Sequence, residues 1–259
     1  MLFILSTFAF VYIASEACCV LRVSPFDLGL AALVFALVIL FIGAVEVLRK
    51  RLHLTTYTTR RAIHLFAGDS ILFVPFFSSV IYPLLLPIGM GVVTALSFAL
   101  SKQSFLTQSM VDEKRYSRLH AYGPVFYIIS IAVLLLVLWS QRPIIMAATM
   151  VMAWGDGSAS AITPSLKKRH LYSFSDKSLE GSAMMVIFAF LGALAAYSLA
   201  LYTGLVSANL VAVLGLSLLG AFVGTVAEAL TVGPIRAFDN FTVPFACAIA
   251  LFLATPLII

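Results

Sequence analysis

The chain has 259 residues, 62% of them hydrophobic or aromatic and 10% charged. Soluble domains carry about a quarter charged residues and less than about half apolar ones, and a mean hydropathy of +1.10 leaves too little polar surface to coat a water-soluble globule. A soluble enzyme, a nucleic-acid-binding domain and a disordered chain are excluded. A membrane β-barrel is excluded as well, because the apolar stretches run on without alternation.

In chain order, apolar runs fall at about 2–21, 26–48, 62–80, 82–100, 122–140, 143–162, 181–202, 208–231 and 241–258, each near the roughly 20 residues that a spanning helix needs. They predict an all-α fold: a polytopic helical membrane protein with about nine transmembrane helices in one bundle, residues 1–259 forming a single integral membrane domain. Pro83 separates the third run from the fourth, and Arg142-Pro143 the fifth from the sixth. No basic residue precedes the first run, and Glu16 stands where a small-residue cleavage site would lie. That run therefore reads as a retained helix, not a secretion signal. The lack of an Arg/Ser-rich transit peptide points to a prokaryotic plasma membrane. Cys18, Cys19 and Cys247 sit in apolar stretches without a CxxC or histidine partner and read as small buried hydrophobes. Gly220 and Gly224 form a GxxxG-like step for close helix packing.

The net charge of +5 matters through its distribution. Every Lys and Arg except Arg22 and Arg142 falls in alternate connections, at about 49–61, 101–121, 163–180 and 232–240. By the positive-inside rule these are the cytoplasmic loops. A wrong helix count would scatter the charges over both sides.

Eleven Asp and Glu occur, and a carboxylate at membrane depth is costly enough to need a reason. Glu46, Asp69, Asp156, Glu180, Glu228 and Asp239 fall toward the cytoplasmic half, a cluster expected of a cation site or a proton path. Arg60, Arg61, His64 and Gly68 share one face of a helix. The guanidiniums offer forked donors matched to phosphate oxygens, the structural alternative being a plain positive-inside anchor. Asp156, flanked by Gly155 and Gly157, lies in a loosened helical stretch of the kind that exposes polar groups to a cavity. Lys177 precedes a helix start whose free N–H groups favour an anion, although Ser178 and Glu180 also suit an N-cap and a first-turn acid. Glu228 ends one run and Asp239-Asn240 open the next, where N-capping is the alternative. Taken together, a basic clamp, hard-oxygen carboxylates and a lysine at a helix start fit a magnesium-bound nucleoside triphosphate. Neither a Walker loop nor a protein-kinase glycine loop is present.

Four ordered blocks resemble the polyprenol kinase family of dolichol, phytol and farnesol kinases and CTP-dependent diacylglycerol kinases. Arg60-Arg61-x-x-His64-x-x-x-Gly68 is similar to the family's RKxxHxxxG, and Tyr122-Gly123-Pro124 with Tyr127 to its YGPxxY. Gly155-Asp156 with Ala159, followed by Lys177-Ser178-Leu179-Glu180-Gly181-Ser182, resembles GDxxA…KSxEGS. Glu228 with Asp239-Asn240-x-Thr242-x-Pro244 resembles E…DNxTxP. The sequence departs from the family at Thr163-Pro164, where a glycine is usual, and at Arg61, where lysine is.

The resemblance implies a CTP-dependent transfer of a phosphoryl group to the terminal hydroxyl of a membrane alcohol, dolichol first, then phytol or geranylgeraniol, assisted by Mg²⁺. It implies catalytic roles for Asp156, Glu180 and Lys177. Nucleotide binding would fall to Arg60, Arg61, His64, Gly155, Lys177, Ser178, Gly181 and Asn240, and metal binding to Asp156, Glu180, Glu228 and Asp239. The partners expected are CTP, the lipid alcohol and the bilayer, with no nucleic acid. The competing readings are a CDP-lipid synthase of the phosphatidate cytidylyltransferase type, whose C-terminal basic-aspartate-glycine signature is absent, and a secondary transporter with buried carboxylates, which calls for two symmetric halves.

Overall fold

The computed structural model describes residues 23–100, 123–163, 166, 168–175, 177–232 and 238–258. The expected first helix at 2–21, the loop at 101–121, Tyr122, Pro164, Lys167 and Arg236 lie outside the described residues. Those that are described fold as helices: α1 Pro25–Leu52, α2 Thr56–Asp69, α3 Ile81–Leu100, α4 Gly123–Leu138, α5 Arg142–Met150, α6 Leu179–Tyr202, α7 Leu210–Leu230 and α8 Asp239–Ile258. A 3₁₀ turn, Ser70–Phe76, continues α2. A π-helical segment, Val151–Asp156, and a short helix, Gly157–Ile162, continue α5.

Local chemistry sets the boundaries. Ser24 caps α1 by accepting from the Asp27 N–H at 3.2 Å, just ahead of Pro25. The helix stops at His53, in the left-handed region at φ 52°. Arg49, Lys50 and Arg51 occupy its last turn, where the helix dipole favours cations. Thr55, Ser178 and Asn209 cap α2, α6 and α7 in the same way.

Five helical stretches among the described residues are long and apolar enough to cross a membrane: Pro25–Leu52, Gly123–Ile162, Leu179–Tyr202, Leu210–Leu230 and Asp239–Ile258. The expected count of about nine is not confirmed among the described residues, which leave out the first run at 2–21. The predicted third span is a polar helix, α2, carrying Arg60, Arg61, His64 and Asp69, and it gives way to a 3₁₀ turn around Pro75. The fourth forms α3, a helix of 20 residues that includes the apolar stretch Ile81–Thr94. The fifth and sixth join in one run of 40 residues. That run is broken at Leu138 (φ −116°, ψ 23°) and Gln141 (φ −117°, ψ 48°). It also folds back, because Gly123 at its start and Asp156 near its end both lie beside the beginning of α8.

Residues Ile144 to Met152 are each 1% exposed or less, which puts α5 and the π segment at the centre of the bundle. Outer helices turn large apolar side chains outward, among them Leu40, Val137, Phe222 and Leu253, a surface suited to lipid and not to water. Three helices approach the centre through glycines. A Cβ on Gly192 of α6 would meet the Met150 carbonyl oxygen at 2.9 Å, one on Gly224 of α7 would strike Val151, and one on Gly68 of α2 would strike Ala153 and come within 2.7 Å of the Tyr127 hydroxyl. The GxxxG step thus serves two contacts, since Gly220 packs on Cys247 of α8. A larger residue at Gly68 or Gly224 would overpack the centre at a cost of about 1–3 kcal/mol.

At the end of the bundle away from Asp156, buried Asp27 accepts from the Ser78 backbone N–H (3.1 Å) and hydroxyl (2.5 Å), and Arg142 donates to the Phe77 carbonyl at 3.2 Å. Arg142, one of the two basic residues outside the positive loops, is thereby used in fixing the turn that leads into α3.

Candidate functional site

Residues far apart in sequence meet at one end of the bundle. Helix α2 brings Arg60 against Gly123 at the start of α4, where any side chain at Gly123 would collide with the guanidinium. Asn240, in the first turn of α8, donates from its amide to the Gly123 carbonyl at 3.2 Å and is 7% exposed. Its neighbour Asp239 accepts from the Asn240 N–H at 2.8 Å and lies within electrostatic reach of Asp156, Lys177 and Arg60. Asp239-Asn240 therefore does more than cap α8: it ties α8 to α4 and faces the π segment.

The π segment places Asp156. An added residue in a helical turn is a frequent mark of a functional position, and here the flanking Gly155 packs on Met185 and Ala189 of α6. Trp154 donates from its indole nitrogen to the Asp69 carboxylate at 2.7 Å. This bond pins the segment to the end of α2 two residues ahead of Asp156. The sequence reading did not single out Trp154; its signal was an indole N–H in an apolar run, a donor that needs a partner when buried.

Lys177 reaches across to the end of α7, forming an ion pair with the Glu228 carboxylate and donating to the Glu228 backbone carbonyl. The loop that carries it is held by an isolated bridge between Leu171 and Ser178, with Tyr172 N–H donating to Lys177 O at 3.0 Å and Leu179 N–H to His170 O at 2.9 Å. Ser178 is the N-cap of α6, accepting from the Gly181 N–H at 3.2 Å, and Gly181 packs on Thr163.

Glu180 takes a different partner. It binds the His170 ring nitrogen at 2.5 Å and accepts from the His170 N–H at 2.9 Å. Glu228 is engaged by Lys177, and Glu46 by Arg49 at 2.6 Å and Lys50 at 3.5 Å. Of the four residues expected to bind metal, Asp156 and Asp239 are thus brought together, while Glu180 pairs with His170 and Glu228 with Lys177. Among the described residues no group of three His, Cys, Asp or Glu is gathered tightly enough to hold a metal ion by itself. Two carboxylates are nevertheless the usual protein share for Mg²⁺, which takes its other ligands from phosphate and water; Asp156 and Asp239 fit that pattern.

His64 lines the inner side of the same region. Its ring lies 4.3 Å from that of Tyr127, whose hydroxyl donates to the His64 carbonyl at 3.2 Å. It is within electrostatic reach of Asp156 and Arg60. From here an apolar groove runs between α1, α2, α3 and α4, enclosing about 920 Å³, part of it open to the surroundings. Arg60, His64, Gly123 and Asn240 line one end, and Val74, Ile131 and Leu135 the other.

Glu180→Gln should weaken the loop around His170 yet lower turnover much less than a change at Asp156. Parallel kinetics of the two variants checks this, and equal losses would return Glu180 to the acidic pair.

The chain is 28% identical over 228 residues to phytol kinase 1, chloroplastic, of Arabidopsis thaliana, a match covering 85% of this chain and 72% of that protein. It is 31% identical over 131 residues to a probable phytol kinase, chloroplastic, of Triticum aestivum, covering 51% and 43%. It is 32% identical over 156 residues to probable phytol kinase 1, chloroplastic, of Oryza sativa subsp. japonica, covering 60% and 48%. The chain thus spans less than half the length of the wheat and rice proteins. No protein-family model and no solved structure matches it.

Proposed function

We propose that the chain is a member of the polyprenol and phytol kinase family, a reading its plant relatives support, and that it transfers the terminal phosphoryl group of CTP to the hydroxyl of a membrane prenol. The observation that carries this reading is the meeting of Asp156, Asp239, Arg60 and Lys177 at the polar end of an apolar groove. Phosphoryl transfer requires alignment and charge neutralisation more than covalent chemistry. A cationic and acidic cluster beside a lipid-sized channel supplies both for a water-soluble donor and an insoluble acceptor.

Asp156 and Asp239 would hold Mg²⁺, whose chemistry when bound is to neutralise the phosphate oxygens and orient them. Arg60 and Arg61 bind phosphate oxygens, and Lys177, fixed by Glu228, adds positive charge to the same end. Asn240 keeps Gly123 pressed against Arg60, so the guanidinium faces the polar end of the groove. Glu180 braces the loop that carries Lys177. Phytol or geranylgeraniol is a better-supported acceptor than dolichol, because the relatives are named as phytol kinases. We propose, from the positive-inside rule, that this end of the bundle faces the cytoplasm; the relatives above are named as chloroplastic.

Incubating the purified protein with γ-labelled CTP or ATP and a panel of lipid alcohols tests the reading. Labelled prenyl phosphate with release of CDP is expected. Pyrophosphate release from CTP would mark a cytidylyltransferase instead, and no transfer to any alcohol would reject kinase activity.

A further inference from the structure

The groove and a polar atom in its wall, His64 Nε2, say how the acceptor sits. Ser70 donates its hydroxyl to the Ala67 carbonyl at 2.6 Å and Tyr127 to that of His64 at 3.2 Å, so these groove hydroxyls are already used. The Asn240 amide nitrogen is likewise given to Gly123. The His64 ring has a hydrogen bond with the Met152 backbone, while its Nε2 is buried without a hydrogen-bond partner, a state that calls for an explanation such as a ligand or water. It lies at the groove's polar end, beside Arg60 and within electrostatic reach of Asp156.

We propose that the groove holds the acceptor's isoprenoid tail and that His64 Nε2 takes the hydrogen bond of its terminal hydroxyl, a placement that rests on the prenol kinase reading. Hydroxyl first, the alcohol enters between α2 and α4 and points its oxygen toward the phosphates held by Arg60. Between Gly123 and Leu135, which line opposite ends, α4 rises about 18 Å. An extended diterpenoid chain is close to that length, whereas dolichol exceeds it severalfold. The groove's apolar lining suits the tail of a one-tailed alcohol. The walls are apolar and smooth (Phe35, Pro87, Met90, Ile128), as a branched hydrocarbon requires.

A phytol analogue carrying a diazirine at the tail end, photolysed with the full-length protein in nanodiscs, should label peptides around Val74, Ile131 and Leu135. Ile131→Phe, which shortens the groove, should lower phytol turnover relative to that of the shorter farnesol by at least about tenfold. His64→Ala should raise the KM for phytol far more than that for CTP. Label confined to surfaces outside the groove, equal loss with both alcohols, or efficient use of dolichol or diacylglycerol would each overturn the placement. Label inside the groove without phosphorylation of any alcohol by the wild-type protein would keep the lipid site and overturn the kinase reading.

Discussion

Asp156→Asn should cripple phosphoryl transfer, lowering kcat by about 10²–10³-fold, the scale of loss when a single group that stabilises transition-state charge is removed. The change is isosteric: the amide keeps the size of the carboxylate and much of its hydrogen-bonding capacity while deleting one negative charge. Packing around the residue is set by Gly155 against α6 and by the Trp154–Asp69 bond, neither of which uses the Asp156 carboxylate, so the variant should be recovered folded and monodisperse. Its acidic partner is Asp239. Two like charges facing each other in a partly buried site repel, and relief of that repulsion should make the single variant at least as heat-stable as the parent. A protein that is more stable and inactive is hard to explain unless the acidic pair serves a ligand. Asp239→Asn should lose activity on a similar scale, and the double variant should be little worse than either, as expected when two groups act on one ligand. Labelled transfer from CTP together with thermal unfolding checks each part, and retained turnover in Asp156→Asn would remove the acidic pair from the mechanism.

Much of this site was legible in the sequence because its members are polar in an otherwise apolar chain. Arg60, His64, Asp156, Lys177, Asp239 and Asn240 each stand out against hydrocarbon neighbours, and the alternation of positive loops puts them on one side. Their partners were not legible. Glu180 and Asp156 look alike as acids toward the cytoplasmic half, yet one meets His170 in the adjoining loop and the other faces α8. That distinction depends on how the loop before α6 turns back through the Leu171–Ser178 bridge, a local geometry without a spacing signature. The groove was invisible for a different reason. In a helix surrounded by lipid both faces are apolar, so periodicity does not tell a wall residue such as Ile131 from one that touches the bilayer. The helix boundaries were least legible at α2, where one apolar run divides into a helix carrying Arg60, Arg61, His64 and Asp69 and a 3₁₀ turn around Pro75.

Lys177→Met should be both destabilising and inactivating, and the two effects should separate. The lysine closes a gap between the loop ahead of α6 and the last turn of α7, pairing with the Glu228 carboxylate while donating to the Glu228 carbonyl, which also accepts from the Thr231 N–H at 3.2 Å. The side chains are 10% and 15% exposed. Deleting the cation strands a mostly buried carboxylate, a loss of 3–5 kcal/mol at a fully buried pair and about 2–3 kcal/mol at this partial burial. Methionine keeps the aliphatic stem, so the loss is electrostatic and not a cavity. Pairing it with Glu228→Gln removes the stranded charge and should restore most of the lost stability, a coupling that a double-mutant cycle reads directly. Turnover should not return, because Lys177 also lies within reach of Asp239, where its charge would offset that of the triphosphate. Thermal unfolding and labelled transfer measured on the parent, both single variants and the double variant give the answer. Recovery of activity along with stability in the double variant would reduce Lys177 to a strut, and the positive side of the phosphate site would then rest on Arg60 and Arg61 alone.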